Sequence, residues 1–151
     1  MAELSDILKT FPEIKKEDSL RISGYLNLIA AIVIEESSFE KTRQTDGILC
    51  QKVFSFLADR FTENISLSQL AKEFGYNEKY LSHILHELTG MHFRRLLNIY
   101  RINHSRMLLT SCKDMSISEI ASACGFNALN TFNREFKAVV GMIPSEYRRE
   151  K

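Results

Sequence analysis

The chain has 151 residues, of which 44% are hydrophobic and 26% charged, and its formal net charge at pH 7 is +1. This length suits one large domain or two small ones with a real hydrophobic core. No apolar run approaches the ~20 residues of a membrane span, and the first residues lack the pattern of a secretory signal. Three widely spaced cysteines without a CxxC motif indicate a reducing compartment. The composition therefore predicts a cytoplasmic protein.

The near-neutral total hides an uneven distribution of charge. Residues 1–50 hold six Lys/Arg against nine Asp/Glu, whereas residues 51–151 hold fourteen against ten and contain all four histidines. A basic half beside an acidic half indicates an anionic partner for the second half. A net charge of +4 over that length is ordinary, so the charge alone does not establish an anionic partner.

Helices are predicted for the first third of the chain, because no stretch shows the two-residue alternation of apolar residues that is typical of a strand. Residues 4–11 predict a short helix that is capped by Ser5 and stopped by Pro12. Residues 17–37 predict a helix with a broad apolar face, formed by Leu20, Ile22, Tyr25, Leu26, Ile29, Ile32 and Val33. Residues 38–47 are polar and predict a linker.

A further helix is expected after this linker, with Asp46 as its N-cap. Its apolar residues recur at helical spacing: Leu49, Val53, Phe56, Leu57 and Phe61. This helix leads directly into the first of two similar units.

The first unit, residues 66–89, predicts a helix, a glycine turn and a second helix. Its start is a capping box, in which Ser66 and Gln69 satisfy free backbone amides. Ala71 is small enough for another helix to approach closely, and Gly75 takes a left-handed conformation at little cost. These features together indicate a tight helical hairpin.

The second helix of this unit is expected over residues 78–89, with Asn77 as its cap. Its apolar face consists of Leu81, Ile84, Leu85 and Leu88. Its polar face carries Lys79, Ser82, His83 and His86.

The same unit recurs about fifty residues later and begins with the capping box of Ser116 and Glu119. The positions of Leu67, Leu70, Ala71, Phe74, Gly75, Tyr76 and Asn77 are matched by Ile117, Ile120, Ala121, Cys124, Gly125, Phe126 and Asn127. One extra residue then shifts the offset, so that Leu81, Leu85 and Gly90 are matched by Phe132, Phe136 and Gly141. The exposed face of the second copy holds Asn130, Thr131, Asn133, Arg134 and Lys137.

A small residue, a glycine four positions later and an apolar residue form the signature of a helix-turn-helix. One copy also fits an ordinary helical hairpin. Two copies with the same caps and glycines at a nearly constant offset favour a pair of helix-turn-helix units.

One long helix is expected between the two copies, over residues 92–111. Its apolar stripe is Phe93, Leu96, Leu97, Tyr100, Met107 and Leu108, and its polar positions include Arg94, Arg95, Arg101 and Arg106. About eighteen helical residues span roughly 27 Å, and successive major grooves on one duplex face lie ~34 Å apart. A connecting helix of this length would hold two reading helices near adjacent turns of DNA. If the distance between them is shorter than the groove spacing, the duplex must bend to fit.

Two stretches carry a resemblance to a known family. They read ISLSQLAKEFGYNEKYLSHIL, residues 65–85, and SISEIASACGFNALNTFNREFKAVVGMIPSEYR, residues 116–148. The region from about residue 48 to 149 resembles the DNA-binding domain of bacterial AraC/XylS-family transcription regulators. The resemblance implies an all-α fold of two helix-turn-helix subdomains joined by a long connecting helix and preceded by a short helical N-terminal segment.

The predicted division is a helical segment over residues 1–47 and a DNA-binding domain over residues 48–151. The domain would contain a first helix-turn-helix at 66–89, a connecting helix at 92–110 and a second helix-turn-helix at 116–138. The N-terminal segment resembles the helical tail that follows the effector-sensing barrel of such regulators. Its apolar residues fit a homodimer seam and fit packing within the chain equally well: Leu26, Ile29, Ile32 and Val33. We expect either a C-terminal fragment of a longer regulator or a naturally short one.

The resemblance also implies roles for individual residues. Base contacts are expected from Lys79, Ser82 and His83 of the first reading helix and from Asn130, Thr131, Asn133 and Arg134 of the second. Arginine can pair bidentately with guanine, and asparagine with adenine. The candidates for phosphate contacts are His86, Arg95, Arg101 and Lys137. Because family members often carry arginine where this chain has His83, the second unit is the stronger candidate for sequence reading.

The predicted function is sequence-specific binding of double-stranded DNA for transcription regulation, with RNA polymerase as a further implied partner. The alternative is a helical protein-interaction module that retains the fold without specific DNA binding. A steep salt dependence of DNA binding distinguishes the two.

No catalytic residue and no cofactor are predicted, because the chain lacks a Walker loop, GxSxG and HExxH motifs. No metal site is predicted either, since no cysteine or carboxylate cluster completes a ligand set around His83, His86 and His92. Cys112 and Cys124 are interpreted as packing residues.

Overall fold

The computed structural model describes residues 41–151, with side chains described from residue 45 onward. Over this part the chain is entirely α-helical, without a strand, as the sequence predicted. The helices are α1 (Lys41–Arg60), α2 (Leu67–Phe74), α3 (Glu78–Thr89), α4 (Phe93–Ser111), α5 (Ile117–Ala123), α6 (Leu129–Val140) and α7 (Pro144–Glu150). None of these helices is both long and apolar enough to span a bilayer.

The predictions for the N-terminal segment lie outside the described residues. They comprise the helix at 4–11, the helix at 17–37 and the dimer seam of Leu26, Ile29, Ile32 and Val33.

Helix α1 corrects two expectations about the region before residue 48. Residues 41–47 are helical rather than a linker, so α1 is continuous across the predicted domain boundary between residues 47 and 48. Asp46 is therefore not an N-cap; it lies inside the helix, is nearly buried, and accepts a hydrogen bond from the Tyr80 hydroxyl. The polar composition and Gly47 suggested a loop, but tertiary packing overrides such weak local preferences.

The described chain packs as two compact units. The first consists of residues 41–60 and 65–95, and the second of residues 61–64 and 96–151. Each contains one of the two helix-turn-helix copies.

The core of the first unit joins one face of α1 to the hairpin of α2 and α3. Its fully or nearly buried side chains are Leu49, Val53, Leu57, Leu70, Ala71, Leu81, Ile84 and Leu85. The rings of Phe56 and Phe74 meet edge to face with centroids 5.8 Å apart, which adds a directional aromatic contact. Leu88, which the sequence placed in this core, is only partly buried.

The core of the second unit is built around aromatic side chains. Its buried residues are Ile102, Leu109, Ile120, Ala121, Cys124, Phe126, Phe132, Phe136 and Tyr147. Ring contacts run from Phe126 to Phe132 (5.2 Å between centroids), to Phe136 (5.6 Å) and to Tyr147 (5.5 Å). Aromatic pairs at such distances contribute beyond their buried area, so α6 is firmly held by its inner face.

The short segment 61–64 is an integral part of the second unit. The Arg101 guanidinium on α4 donates through Nε to the Phe61 carbonyl and through Nη2 to the Glu63 carbonyl, both at 2.8 Å. The Phe61 ring also lies 5.1 Å from the His104 ring, measured between centroids. Two residues of α4 thus fix the backbone that precedes α2.

Candidate nucleic-acid interface

The first helix-turn-helix has the local geometry that its sequence predicts. Ser66 Oγ accepts from the Gln69 amide at 3.2 Å, and Gln69 Oε1 accepts from the Ser66 amide at 2.9 Å, which completes the capping box. Gly75 has φ +74°, and the amide of Tyr76 donates to the Ala71 carbonyl at 2.9 Å. Asn77 Oδ1 accepts from the Lys79 amide at 2.9 Å and caps α3. These caps end α2 and start α3 within three residues.

The second helix-turn-helix repeats most of this geometry. Ser116 Oγ and the Glu119 carboxylate again form a reciprocal capping box, and Gly125 has φ +83°. The N-cap of α6, however, is Ala128, which makes no side-chain cap hydrogen bond. Asn127, which the sequence matched to the capping Asn77, precedes that position and does not serve as the N-cap.

The two capping boxes should respond differently to acid. The hydrogen bonds from the Ser116 side chain and backbone hold the pKa of Glu119 below its usual value of 4.5. A lowered folded-state pKa stabilises the fold above the unfolded-state value, and this contribution is lost as pH falls through the folded-state pKa. We expect Glu119→Gln to reduce the loss of melting temperature between neutral pH and pH values below 4.5, because glutamine does not titrate. An unchanged slope of melting temperature against pH would contradict this, and Gln69→Ala, which removes a non-titrating box, is the control.

The predicted base-contact residues of the first unit lie on α3. Lys79 and His83 are exposed and Ser82 is half-buried. His83 Nε2 lies 3.4 Å from the Glu87 carboxylate one turn later, so this imidazole already has an acidic neighbour. Glu78 is also exposed in the first turn. The face of α3 therefore mixes cationic and acidic groups.

The predicted base-contact residues of the second unit lie on α6. Asn130 is exposed, while Thr131 and Asn133 are partly buried. The Arg134 side chain is 72% exposed, and its Nε and Nη2 donate to Glu135 Oε1 at 3.2 and 3.1 Å. The arginine side of this ion pair is exposed to solvent, although the Glu135 side chain is only 17% exposed, so the guanidinium is accessible to another acceptor.

Three of the four candidates for phosphate contacts remain accessible. Lys137 and His86 are exposed and Arg95 is partly buried. His86 stacks on His92 with ring centroids 4.6 Å apart and planes within 10°. This stack holds the His86 ring at the end of α3.

The prediction that Arg101 contacts a DNA phosphate is wrong. The residue is only 9% exposed, and its guanidinium donates to the carbonyls of Phe61 and Glu63. Its guanidinium carbon also lies 5.6 Å from the centroid of the Phe126 ring. The sequence pattern counted Arg101 as polar, but a guanidinium can be buried when each donor finds a partner.

Two exposed side chains on α3 and α6 were not among the predicted contact residues. Tyr80 on α3 stacks on Tyr76 with centroids 5.8 Å apart, and its hydrogen bond to Asp46 raises the pKa of its hydroxyl to about 12. Leu129 is the first residue of α6 and is 39% exposed. The sequence signal for both is an aromatic or apolar residue directly beside a predicted base-contact position.

The cysteines and histidines show no reactive arrangement within the described chain. Burial raises the pKa of the Cys50 and Cys124 thiols to about 12, which keeps both protonated and unreactive. Among residues 41–151 no three His, Cys, Asp or Glu side chains are grouped so as to hold a metal ion.

Comparison with known proteins agrees with this geometry. A family model described as a helix-turn-helix domain matches residues 70–150, more than half of the chain. An uncharacterised helix-turn-helix-type transcriptional regulator of Escherichia coli (strain K12), YijO, is 30% identical over 110 residues, which cover 73% of this chain and 38% of that protein.

Two solved structures show the same fold. The C-terminal domain of AraT, a response regulator from Geobacillus stearothermophilus, matches with a TM-score of 0.64 at 26% identity, covering 68% of this chain and 85% of that one. A transcriptional regulator with an AraC-type DNA-binding domain from Chromobacterium violaceum matches with a TM-score of 0.58 at 25% identity, covering 65% and 87%.

The fold and the matched region define a helix-turn-helix protein with two such units in one chain. The chain belongs to the AraC-type helix-turn-helix family, as its sequence predicted. It spans 13–38% of the lengths of curated regulators that match it at 30–34% identity.

Proposed function

We propose that this chain binds double-stranded DNA sequence-specifically and thereby regulates transcription, with α3 and α6 as its reading helices. The observation that carries the proposal is the pair of helix-turn-helix units, each with an apolar inner face buried in its own core and a polar outer face left exposed. An outer face of this kind places donors where a recognition helix meets base edges.

We propose further that the two helices read successive major grooves. Helix α4, which joins the two units along the sequence, has 19 residues and is therefore about 28 Å long. This length approaches the ~34 Å between successive major grooves on one duplex face. A modest bend of the DNA, at a cost of order a few kcal/mol, would close the difference.

The roles of individual residues follow from their chemistry and exposure. Base contacts are proposed for Asn130, Thr131, Asn133 and Arg134 on α6 and for Lys79, Ser82 and His83 on α3. Phosphate contacts are proposed for Lys137, Arg95 and His86. The α6 set is the stronger reader because its first turn contains no acidic residue, whereas α3 carries Glu78 there.

Selection of bound sequences from a random duplex pool, at low and at moderate salt, tests this function. Two informative blocks about one helical turn apart would support reading of two grooves. A single block would restrict reading to one unit. Absence of enrichment, with all binding lost on addition of salt, would overturn specific DNA binding.

Arg134 provides the sharpest single-residue prediction. Replacing it with alanine should weaken binding to a selected site by roughly 1–3 kcal/mol and relax the preference at one base pair. Titration of the selected duplex against wild type and Arg134→Ala measures both effects. Arg149→Ala, which removes an exposed arginine from α7 rather than from a reading helix, is the matched control. Equal losses in the two variants would show that Arg134 contributes only charge.

The alternative function is a helical protein-interaction module without specific DNA binding. The acidic groups on the exposed face of α3, Glu78 and Glu87, favour it, since both would repel phosphates. The sequence selection distinguishes the alternatives, because a protein-interaction module would enrich no sequence at either salt concentration.

Further partners are proposed from family membership and from the sequence. RNA polymerase is one, since transcription regulators act on it.

A second copy of the chain is another proposed partner, through the apolar residues Leu26, Ile29, Ile32 and Val33. Sedimentation of the full chain and of the Ile29→Asp variant would test dimerisation, with a monomeric wild type contradicting it. A regulator of this kind would act in the cytoplasm.

A further inference from the structure

The first turn of α6 differs from its counterpart in a consistent way. Helix α3 begins with a side-chain cap from Asn77 and an acid, Glu78, in the first turn. Helix α6 begins with Ala128, which provides no side-chain cap, and with Leu129, and its first turn contains no acid. At the two matched positions the first unit has Asn77 and Glu78, whereas the second has Ala128 and Leu129.

These differences all reduce the local stability of α6. A missing cap leaves a backbone amide without a side-chain acceptor. A missing acid forgoes the favourable interaction with the positive end of the helix dipole. Leu129 also leaves 39% of its surface in water. Positions that break local rules without a stabilising gain are where functional constraints are expected.

The location of Leu129 indicates what this constraint is. It directly precedes Asn130 on the reading helix, and the N-terminal residues of a recognition helix are those that contact base edges. The apolar group on the major-groove edges of base pairs is the C5-methyl of thymine. The absence of an acid in this turn also removes a source of repulsion from the phosphates.

We propose that Leu129 packs against a thymine C5-methyl in the major groove and sets a preference for thymine at one position of the bound sequence. This inference rests on the DNA-binding function proposed above and adds to it a residue that reads by apolar contact. It also explains why a leucine stands where the first unit has a glutamate.

A single exposed apolar side chain is common on protein surfaces, so a matched control is needed. Ile143 provides it. This residue is 37% exposed, belongs to the same unit and is the N-cap residue of α7, outside the reading helix. Ile143→Ala removes a similar amount of exposed apolar surface from a position that should not contact bases.

The experiment uses the full chain and the duplex obtained by selection, in which each thymine is replaced in turn by deoxyuridine. This replacement removes the methyl group and leaves base pairing unchanged. For wild type and Ile143→Ala we expect binding to weaken about fourfold at one thymine, the effect of exposing one methyl group. For Leu129→Ala we expect about fourfold weaker binding to the unmodified duplex and no further loss at that thymine.

Four results would overturn the inference: a selected sequence without thymine in the block read by α6, a wild type indifferent to every replacement, a Leu129→Ala variant that keeps the loss, or an Ile143→Ala variant that loses it. Failure to select any sequence would overturn the proposed DNA binding itself, and this inference with it. The two failures are therefore distinguishable, since only the second abolishes enrichment.

Discussion

Replacing Gly125 with alanine should destabilise the second unit by roughly 3 kcal/mol or more. Two independent causes act at this position. The backbone has φ +83°, where a side chain is strained, and a Cβ would lie 2.5 Å from the carbonyl oxygen of Thr62. That oxygen belongs to a backbone held in place by Arg101, so it cannot move away without cost. Urea denaturation followed by circular dichroism measures the change in free energy of unfolding.

Gly75→Ala separates the two causes. Gly75 is the counterpart in the first unit, with φ +74°, but no atom lies within 4 Å of where its Cβ would be. Only the strain of the left-handed conformation remains, at about 1 kcal/mol, part of which is offset because alanine restricts the unfolded chain. If Gly125→Ala proved as mild as Gly75→Ala, the close approach of Thr62 would be refuted.

The sequence predicted the repeated features well because they are local. A capping box depends on two side chains three residues apart, and a left-handed turn depends on one glycine. Both copies accordingly show the predicted caps at Ser66 and Ser116 and the predicted positive φ at Gly75 and Gly125. The periodicity of apolar residues also placed Phe132 and Phe136 in the core.

Contacts between distant residues could not be derived in the same way. Arg101 binds carbonyls 38 and 40 residues earlier in the chain, and no periodicity signals such a bond. Asp46 meets Tyr80 across 34 residues, and this partner makes burial of the acid tolerable within α1. The predictions for Arg101 and Asp46 were wrong for this reason: each side chain bonds to a partner more than thirty residues away in the sequence.

The candidate interface was predictable only as a set of positions. The repeat and the family resemblance place Asn130 and Arg134 on the outer face of the proposed reading helix, and both are exposed there. The sequence did not predict that Glu135 accepts hydrogen bonds from Arg134. The role proposed for Leu129 was not predictable either, because an apolar residue at a helix start is ordinarily assigned to packing.

Removal of the Arg101 side chain is the other change with a large expected effect. In Arg101→Ala the carbonyls of Phe61 and Glu63 lose their donors, and the Phe126 ring loses the guanidinium beside it. Losing hydrogen bonds from a charged group inside a folded unit should cost about 3 kcal/mol. Chemical denaturation of the variant, monitored by circular dichroism, tests this value.

Two further variants define the cause of that loss. Arg101→Lys keeps the positive charge but not the planar fork that reaches both carbonyls, so it should recover only part of the stability. Arg94→Ala removes an exposed arginine from the same helix and should change stability by less than about 0.5 kcal/mol. Full recovery by lysine would show that charge alone stabilises segment 61–64. A loss in Arg101→Ala no greater than in Arg94→Ala would instead show that the two hydrogen bonds contribute little to folding.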